Sequence, residues 1–183
     1  MNVYDFDKTI YRLDSTMDFY YYCLKKHPLL IVILPRQVLA FFFYIFRLCS
    51  KEKFKSVFLS FIKNLDINQL VEEYWNAHFN GIQKWYLRQK KADDVIVSAS
   101  PRFIIEPICR RLGVTFICTE TDSSGTLISP NCYGKEKVIR FLKKFPNDRI
   151  DSFYSDSASD EPMARIAKKA YLVKNGEPVF WKV

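Results

Sequence analysis

After residue 92 the sequence alternates short β-branched segments with amphipathic segments, and this alternation restricts the possible folds more than any other feature. The β-branched segments have the length and composition of buried strands, whereas the segments between them have helical periodicity, one of them closed by Gly113. Strands that alternate with helices form a mostly parallel sheet with right-handed crossovers, so the sequence predicts an α/β protein. In order, the segments are VIVS (95–98), RFIIEPICRRLG (102–113), VTFIC (114–118), GKEKVIRFLKKF (134–145) and RIDSFYSD (149–156).

Other segments of the chain complete the predicted sheet. Residues 1–4 are a short strand candidate, and ETDSSGTLIS (120–129) predicts a turn or hairpin around Ser124 and Gly125. SDEPMARIAKKA (159–170) predicts a helix with Ser159 as its N-cap. The C-terminal segments AYLV and PVFWKV predict two final strands around a turn at Asn175 and Gly176.

From about residue 14 to residue 91 the pattern is helical and the charge balance changes. Apolar and aromatic residues recur at helical spacing over 67–91, which predicts a helix with Asp66 as N-cap and Lys90 and Lys91 at its C-terminal end. Residues 15–92 carry twelve Lys and Arg against five Asp and Glu, whereas the remaining residues carry sixteen against fifteen. Nearly all of the net charge of +8 lies in this one segment, so the chain has two parts with different roles.

The most apolar stretch of the chain is HPLLIVILPRQVLAFFFYIFRLC (27–49). A transmembrane helix needs about 20 predominantly apolar residues without a charge near the middle. Pro35 and Arg36 divide this stretch into two shorter runs, which argues against a simple span. The sequence favours either a buried pair of helices or a pair that lies in a membrane interface.

Several functional classes are disfavoured by composition. The five cysteines are an odd number without a C-x-x-C pair, so we expect reduced thiols in a cytoplasmic location, and neither a disulfide framework nor a structural zinc site. Two histidines are too few for a histidine-rich metal centre, and the chain has no G-x-S-x-G motif. Asp5 and Asp7 interrupt the N-terminus where a secretory signal would need apolar residues.

Polar residues follow several of the predicted strands at the point where each strand ends. The carboxyl ends of parallel strands meet at one edge of a sheet, which is where α/β proteins bind ligands. Four carboxylates at one edge repel one another unless a cation neutralises them, and oxygen ligands near phosphate suit Mg²⁺. Each residue alone is an ordinary turn, cap or surface residue; it is their joint arrangement that predicts a site. The residues are Asp5, Asp7, Ser98, Asp156 and Asp160, with Lys135 and Lys137 opening a nearby helix.

These segments resemble the four motifs of the haloacid dehalogenase-like phosphatase superfamily, in the same order. DFDKT (5–9) matches D-x-D-x-T, and VIVS matches a strand that ends in Ser or Thr. GKEKV (134–138) supplies the lysine of the third motif, and YSDSASDEP (154–162) matches the acidic fourth motif D-x-x-x-D. The resemblance implies a Rossmann-like, mostly parallel sheet core with an inserted α-helical cap. The core would comprise 1–14 and 92–183, and the cap segment 15–91.

A narrower resemblance concerns the subgroup. The inserted segment resembles the cap of the phosphoserine phosphatase-like subgroup, subfamily IB. Within it, the segments SASPRFIIEP (98–107), NCYGKEKV (131–138) and FYSDSASDEPM (153–163) are similar to the bacterial phosphatidylglycerophosphatase C branch, which also has a hydrophobic, basic cap.

The resemblance implies a role for each motif residue. Asp5 would be the nucleophile that forms an aspartyl-phosphate, and Asp7 the general acid and then the general base. Ser98 would donate a hydrogen bond to a phosphoryl oxygen, and a lysine would neutralise developing charge. The family's G-x-x-K spacing selects Lys137 for that role, with the neighbouring Lys135 as the alternative.

The same resemblance implies a bound Mg²⁺. Its ligands would be Asp5, the main-chain carbonyl of Asp7, and Asp156, with Asp160 supporting it through water or a hydrogen bond. Thr9 would brace the loop of the first motif.

The cap segment is expected to select the substrate. Asp14 occupies a position at which related phosphoserine phosphatases carry an acidic residue that contacts the substrate. A basic, aromatic and apolar cap favours a lipid phosphate such as phosphatidylglycerophosphate, together with peripheral contact with an anionic membrane. The alternatives are a soluble phosphomonoester such as phosphoserine, a phosphotransferase with the same chemistry, and a membrane- or partner-binding module with an inactive core. The chain has no nucleic-acid-binding motif, and no nucleic-acid partner is expected.

Overall fold

The computed structural model describes residues 1–183, and its central feature is a six-stranded sheet. The strands lie in the order third, second, first, fourth, fifth and sixth; the first five are parallel, and the sixth is antiparallel to the fifth. The predicted α/β fold with a mostly parallel sheet is therefore confirmed. The strands are β1 (Asn2–Tyr4), β2 (Val95–Pro101), β3 (Thr115–Thr119), β4 (Ile150–Ser155), β5 (Ala167–Lys174) and β6 (Glu177–Phe180).

Eight α-helices accompany the sheet, and five of them occur in sequence between the first two strands. That part of the chain contains no strand, as expected for the cap segment, whose boundaries stay a prediction. The helices are α1 (Ser15–Lys26), α2 (Leu34–Ile45), α3 (Lys51–Leu59), α4 (Ile67–His78), α5 (Lys84–Gln89), α6 (Arg102–Leu112), α7 (Lys135–Lys144) and α8 (Glu161–Arg165). Short 3₁₀ helices span Pro28–Ile33, Ser60–Asn64, Phe79–Gly81 and Ala158–Asp160.

The register of the central strands explains why distant residues meet. Tyr4, the last residue of β1, pairs with Ile96 of β2 and with Tyr154 of β4. The main-chain N–H of Asp5 then donates to the carbonyl of Tyr154 over 2.8 Å. The chain segments that follow β1, β2 and β4 consequently leave the sheet side by side at its carboxyl edge.

Alternation along the strands builds a hydrophobic core on each face of the sheet. Tyr4 belongs to a cluster of 26 buried residues that includes Trp75 of α4 and Ile104 of α6, and the indole N–H of Trp75 donates to the carbonyl of Ile104 over 2.9 Å. Val3 points the other way, into a cluster of 11 buried residues that includes Phe141 of α7. The α4 helix of the cap segment therefore packs directly on the core helix α6.

The single helix predicted over 67–91 is wrong, because the chain forms two helices with a break between them. Asp66 does cap α4, accepting a hydrogen bond from the N–H of Gln69 over 3.2 Å. The break is at Gly81, whose α-carbon packs against the ring of Tyr11, where a β-carbon would collide with it. Gly81 also accepts a hydrogen bond from the N–H of Arg12, so contact with the loop after β1 outweighs continuous helix formation.

The helix predicted from Ser159 to Ala170 is much shorter than expected. It comprises only α8, and its cap residue is Asp160 rather than Ser159. Ala167 pairs with Ile150 and begins β5, since a sheet ladder along β4 satisfies this backbone better than a continued helix. The predicted turn at Asn175 and Gly176 and the two strands around it are confirmed.

The apolar stretch lies on the surface. The segment Pro28–Ile45 has 18 residues with a mean hydropathy of 1.9, and 11% of it is buried. It is the one helical segment whose length and composition would allow it to cross a membrane. The expectation of a buried helix pair is therefore wrong, whereas a position in a membrane interface stays a prediction.

Candidate active site

A cavity of about 170 Å³ opens at the carboxyl edge of the sheet. Five of its eleven lining residues are acidic, and they come from chain segments that are far apart in the sequence. We call it the acidic cavity. It brings together the predicted residues Asp5, Asp7, Asp14, Asp156, Asp160 and Lys137, and it is also lined by Lys8, Ala99, Tyr133, Ser157 and Ser159.

Asp5 and Asp160 share one lysine at the base of this cavity. The Lys137 Nζ donates to Asp5 Oδ1 and to Asp160 Oδ2, in both cases over 2.6 Å, and all three side chains are buried. The hydroxyl of Ser155 donates to Asp160 Oδ2 over 2.8 Å. Of the two candidate lysines, Lys137 lies in the acidic cavity, whereas Lys135 is exposed at the start of α7.

Burial and charge set the ionisation of this group. Burial raises the pKa of Asp5 to about 7, with Asp160 and Asp7 adding repulsion against the attraction of Lys137. Burial alone would lower the pKa of Lys137, but Asp5 and Asp160 hold it above its ordinary value. The lysine is therefore a permanent cation beside a carboxylate that is costly to ionise.

Thr9 connects the first and fourth motifs. Its hydroxyl donates to Asp5 Oδ2 over 3.3 Å and accepts from the main-chain N–H of Asp156 over 2.9 Å. This is the bracing position predicted for it. Asp156 is half-buried beside it, and burial raises the pKa of its carboxyl group.

Asp7 is held by residues that the sequence did not single out. Its Oδ1 accepts from the main-chain N–H of Ser15, the first residue of α1, over 2.8 Å, and its Oδ2 accepts from the Ser100 hydroxyl over 2.5 Å. Burial raises the pKa of Asp7, and the nearby charge of Asp14 raises it further. Asp14 itself caps α1, accepting from the N–H of Met17 over 3.0 Å.

Ser98 lies behind the wall of the acidic cavity. Its side chain is fully buried, and its hydroxyl accepts from the N–H of Ser100 over 3.0 Å, while the next residue, Ala99, lines the cavity. Ser98 itself is not among the lining residues, and its hydrogen bond to a phosphoryl oxygen stays a prediction.

Lys55 also lies at this site, although the sequence pattern does not single it out. Its Nζ reaches from α3 into the core, where it donates to the carbonyl of Ala99 over 2.5 Å and to Asn131 Oδ1 over 2.8 Å. Burial lowers the pKa of this lysine to about 8, although the charges of Asp7 and Asp14 favour its cationic form. Lysines alternate through the segment KEKFK, and nothing in that pattern distinguishes the buried one.

The family model for haloacid dehalogenase-like hydrolases matches residues 3–165, which include every residue of the acidic cavity. The chain belongs to this family.

Among curated proteins, the hydrolase is similar to Protein CicA of Caulobacter vibrioides. The two are 38% identical over 100 residues, which cover 50% of this chain and 45% of the relative. The matched region thus spans about half the length of the curated relative.

Two solved structures show the same fold. A protein of unknown function from Bordetella pertussis Tohama I superposes with a TM-score of 0.73 and 18% identity, covering 94% of this hydrolase and 88% of that chain. A phosphoserine phosphohydrolase-like protein from Francisella tularensis has a TM-score of 0.60 and 18% identity, covering 94% and 87%.

The donor set of this hydrolase fits a hard divalent cation. Asp160 Oδ1 is buried without a hydrogen-bond partner, and the acidic cavity holds more carboxylates than its lysines neutralise. No three carboxylate, imidazole or thiolate groups are placed to hold a metal by themselves. As the family resemblance implies, a bound Mg²⁺ would be held by the carboxylates of Asp5 and Asp156, the main-chain carbonyl of Asp7 and water, with Asp160 in support.

Proposed function

We propose that this hydrolase cleaves phosphomonoesters in the presence of Mg²⁺, with Asp5 as a covalent nucleophile. The observation that carries the proposal is the arrangement of Asp5, Asp7 and Lys137. A carboxylate at the end of a central strand touches a buried lysine, and a second carboxyl group with a raised pKa follows two residues later. This combination supplies a nucleophile, a fixed positive charge and a proton donor within one small cavity.

Two displacements at phosphorus complete the reaction. In the first, an Asp5 oxygen forms a bond to phosphorus while the ester P–O bond breaks, and Asp7 gives its proton to the departing alkoxide oxygen. In the second, Asp7 takes a proton from water, whose oxygen attacks phosphorus and releases inorganic phosphate and free Asp5. Asp7 loses its proton in the first step and regains one in the second. It must therefore exchange a proton near neutral pH, which its raised pKa favours.

The remaining groups stabilise charge and hold geometry. Lys137 compensates negative charge on the phosphoryl oxygens, and Thr9 fixes Asp5 relative to Asp156. When bound, Mg²⁺ reduces the repulsion between the carboxylate nucleophile and an anionic phosphate. The hydrogen bonds from Ser15 and Ser100 hold the carboxyl group of Asp7 in place.

For the substrate, we propose a lipid phosphate such as phosphatidylglycerophosphate. The support is the composition of the cap segment, in which an exposed apolar helix lies among basic side chains. The second candidate is a small soluble phosphomonoester such as phosphoserine, which is favoured by the similarity in fold to the phosphoserine phosphohydrolase-like protein of Francisella tularensis. An inactive core is disfavoured, because a site without catalysis would have no reason to keep so many repelling carboxylates.

A substrate comparison separates the two candidates. With Mg²⁺ present, we expect faster release of inorganic phosphate from phosphatidylglycerophosphate in detergent micelles than from phosphoserine, measured as kcat/KM for each. The physical reason is that an apolar, cationic cap stabilises an anion with acyl chains better than a small polar anion without them. The reverse preference would overturn the lipid assignment. Transfer of phosphate to added glycerol in place of water would identify a phosphotransferase.

Lys55 provides a prediction for the contact between cap and core. We expect Lys55→Met to lower kcat/KM for an aryl phosphate by about 10- to 100-fold, because it removes a charged hydrogen bond to the carbonyl of Ala99, near the end of β2 and in the lining of the acidic cavity. Since the pKa of Lys55 is lowered to about 8, part of its effect should disappear above that pH in the wild type. Lys53→Met, on an exposed position of the same helix, is the control and should be neutral. Equal rates for both variants from pH 6 to pH 9 would refute this role.

A further inference from the structure

An exposed apolar surface lies on the cap segment, away from the reacting groups. It is formed by the 3₁₀ helix Pro28–Ile33, by α2 and by the turn that follows, and we call it the docking surface. Leu29, Val32 and Leu48 are each more than 70% exposed, and three consecutive phenylalanines of α2 are close to half exposed. Contiguous apolar patches of this kind are rare on soluble monomers unless they bind a partner or a membrane.

The opposite side of α2 is attached to the protein. Gln37 is buried, its Oε1 accepts from the Tyr20 hydroxyl of α1 over 2.6 Å, and its Nε2 donates to the carbonyl of Phe58 of α3 over 2.8 Å. The helix α2 is thus attached to α1 and α3 at Gln37, and its ring contacts with Phe54 of α3 leave its other side facing outward. Its geometry therefore suits a position parallel to a membrane plane rather than across the membrane.

Exposed basic side chains lie beside the docking surface. Residues 25–64 contain eight Lys and Arg but only one acidic residue, Glu52. Arg36, Arg47 and Lys53 are exposed beside the apolar side chains. Basic residues near an anionic bilayer are attracted to its surface, so this composition selects negatively charged lipids over neutral ones.

A groove between α2 and α3 adds a place for part of a lipid. Its volume is about 350 Å³, and seven of its nine lining residues are hydrophobic, including Leu39, Phe43 and Phe54. The two basic lining residues are Arg36 and Lys53. Apolar walls with cations beside them match the chemistry of an anionic amphiphile.

The helix α3 connects the docking surface with the acidic cavity. Phe54 lines the groove, whereas the Lys51 Nζ lies 3.4 Å from the ring centroid of Tyr133, a residue that lines the acidic cavity. One turn further on, Lys55 reaches the carbonyl of Ala99 at the same cavity. A membrane bound on one side of α3 would be adjacent to the reaction site on its other side.

We propose that the docking surface binds the interface of an anionic phospholipid bilayer, with α2 lying parallel to the membrane plane and its basic neighbours contacting the headgroups. If the substrate is a lipid phosphate, this surface is where the enzyme would meet it, and this part of the proposal rests on the proposed function. Binding itself requires no catalysis.

Vesicle co-sedimentation tests the proposal. Full-length protein carrying Asp5→Asn is mixed with vesicles of phosphatidylcholine alone or with one third phosphatidylglycerol, at low and high salt. We expect at least about tenfold tighter binding to the anionic vesicles, weakening with salt. Val32→Glu combined with Phe42→Glu should reduce that binding at least about tenfold, because charges on the apolar face oppose insertion. Ile139→Glu combined with Val179→Glu, at exposed apolar positions of the core, is the matched control and should bind like its parent.

The outcomes are distinct from those of the substrate comparison. Equal affinity for both vesicle types, or unchanged binding by the Val32 and Phe42 double variant, would overturn the proposal. A dimer in sedimentation equilibrium that this double variant dissociates, without vesicle binding by the parent, would assign the surface to a second copy of the chain and also overturn it. To show that the Val32 and Phe42 double variant is folded, the same two substitutions are made in protein that retains Asp5, and its hydrolysis of a soluble aryl phosphate is measured. Vesicle binding without lipid-phosphate hydrolysis would contradict only the proposed function.

Discussion

Replacing Asp5 with asparagine is expected to abolish Mg²⁺-dependent hydrolysis of an aryl phosphate while leaving the protein folded. The amide cannot form the acyl-phosphate bond, and losing a covalent nucleophile costs about four orders of magnitude in kcat or more. Steady-state turnover gives the rate, and mass spectrometry after an acid quench shows whether phosphate is attached to the peptide around Asp5 in the wild type. Asp151→Asn, an exposed substitution on β4, serves as the control and should keep full activity.

The stability of the same variant provides an independent check. The pKa of Asp5 is about 7 in the folded protein and 3.8 in the unfolded chain. Between these values the folded state retains a proton that the unfolded state releases, so this group causes the wild type to lose stability as the pH rises from about 4 to 7. Asn cannot titrate, and without Mg²⁺ the free energy of unfolding of the variant should change less over this range. Near wild-type turnover would end the nucleophile assignment, whatever the unfolding data show.

The fold and the first residues of the site were predictable because they depend on local patterns. A β-branched run followed by a helix closed at Gly113 fixes β2 and α6, and repetition of that pattern implies parallel strands. Parallel strands end at a common edge, so residues directly after β1 and β4, such as Asp5 and Asp156, had to come close. The structure meets that expectation within one cavity.

The helix break at Gly81 and the remaining residues of the site could not be predicted, because they depend on contacts between distant parts of the chain. Gly81 interrupts a helical periodicity because Tyr11, seventy residues earlier, occupies the adjacent space. Ser100 and Ser15 hold Asp7 only because α1 begins beside the end of β2. Lys55 is one of several similar lysines, and only tertiary packing buries its amino group against Asn131.

That α2 is exposed could also be learned only from the structure. An apolar run of this length is equally consistent with a buried helix or with an exposed helix that binds a membrane. Hydrogen bonds from Gln37 to α3 and from Tyr20 of α1 to Gln37 determine which side faces the protein, leaving the phenylalanine-rich side uncovered. In the proposed function, the choice of substrate therefore depends on this surface rather than on the carboxylates of the acidic cavity.

Replacing Lys137 with methionine is expected to have the largest combined effect on activity and stability. Methionine fills similar volume, but it leaves Asp5 and Asp160 buried without their shared cation. Removing one partner of a buried ion pair costs about 3–5 kcal/mol of unfolding free energy. Loss of a charge that stabilises the transition state should also lower kcat by about 10²–10³-fold. Chemical denaturation and aryl phosphatase kinetics measure the two effects separately.

Lys135→Met supplies the matched control, because it removes the same charge from an exposed position two residues earlier on α7. It should leave both stability and turnover close to wild type. The pH dependence adds a second test: without the attraction of Lys137 the pKa of Asp5 rises further, so the methionine variant should be least stable at alkaline pH and recover as acid protonates Asp5. Adding Asp160→Asn removes one of the two unpaired charges and should restore part of the lost stability but not the activity. Loss of turnover in Lys135→Met, with Lys137→Met remaining active, would reverse the assignment of the third-motif lysine.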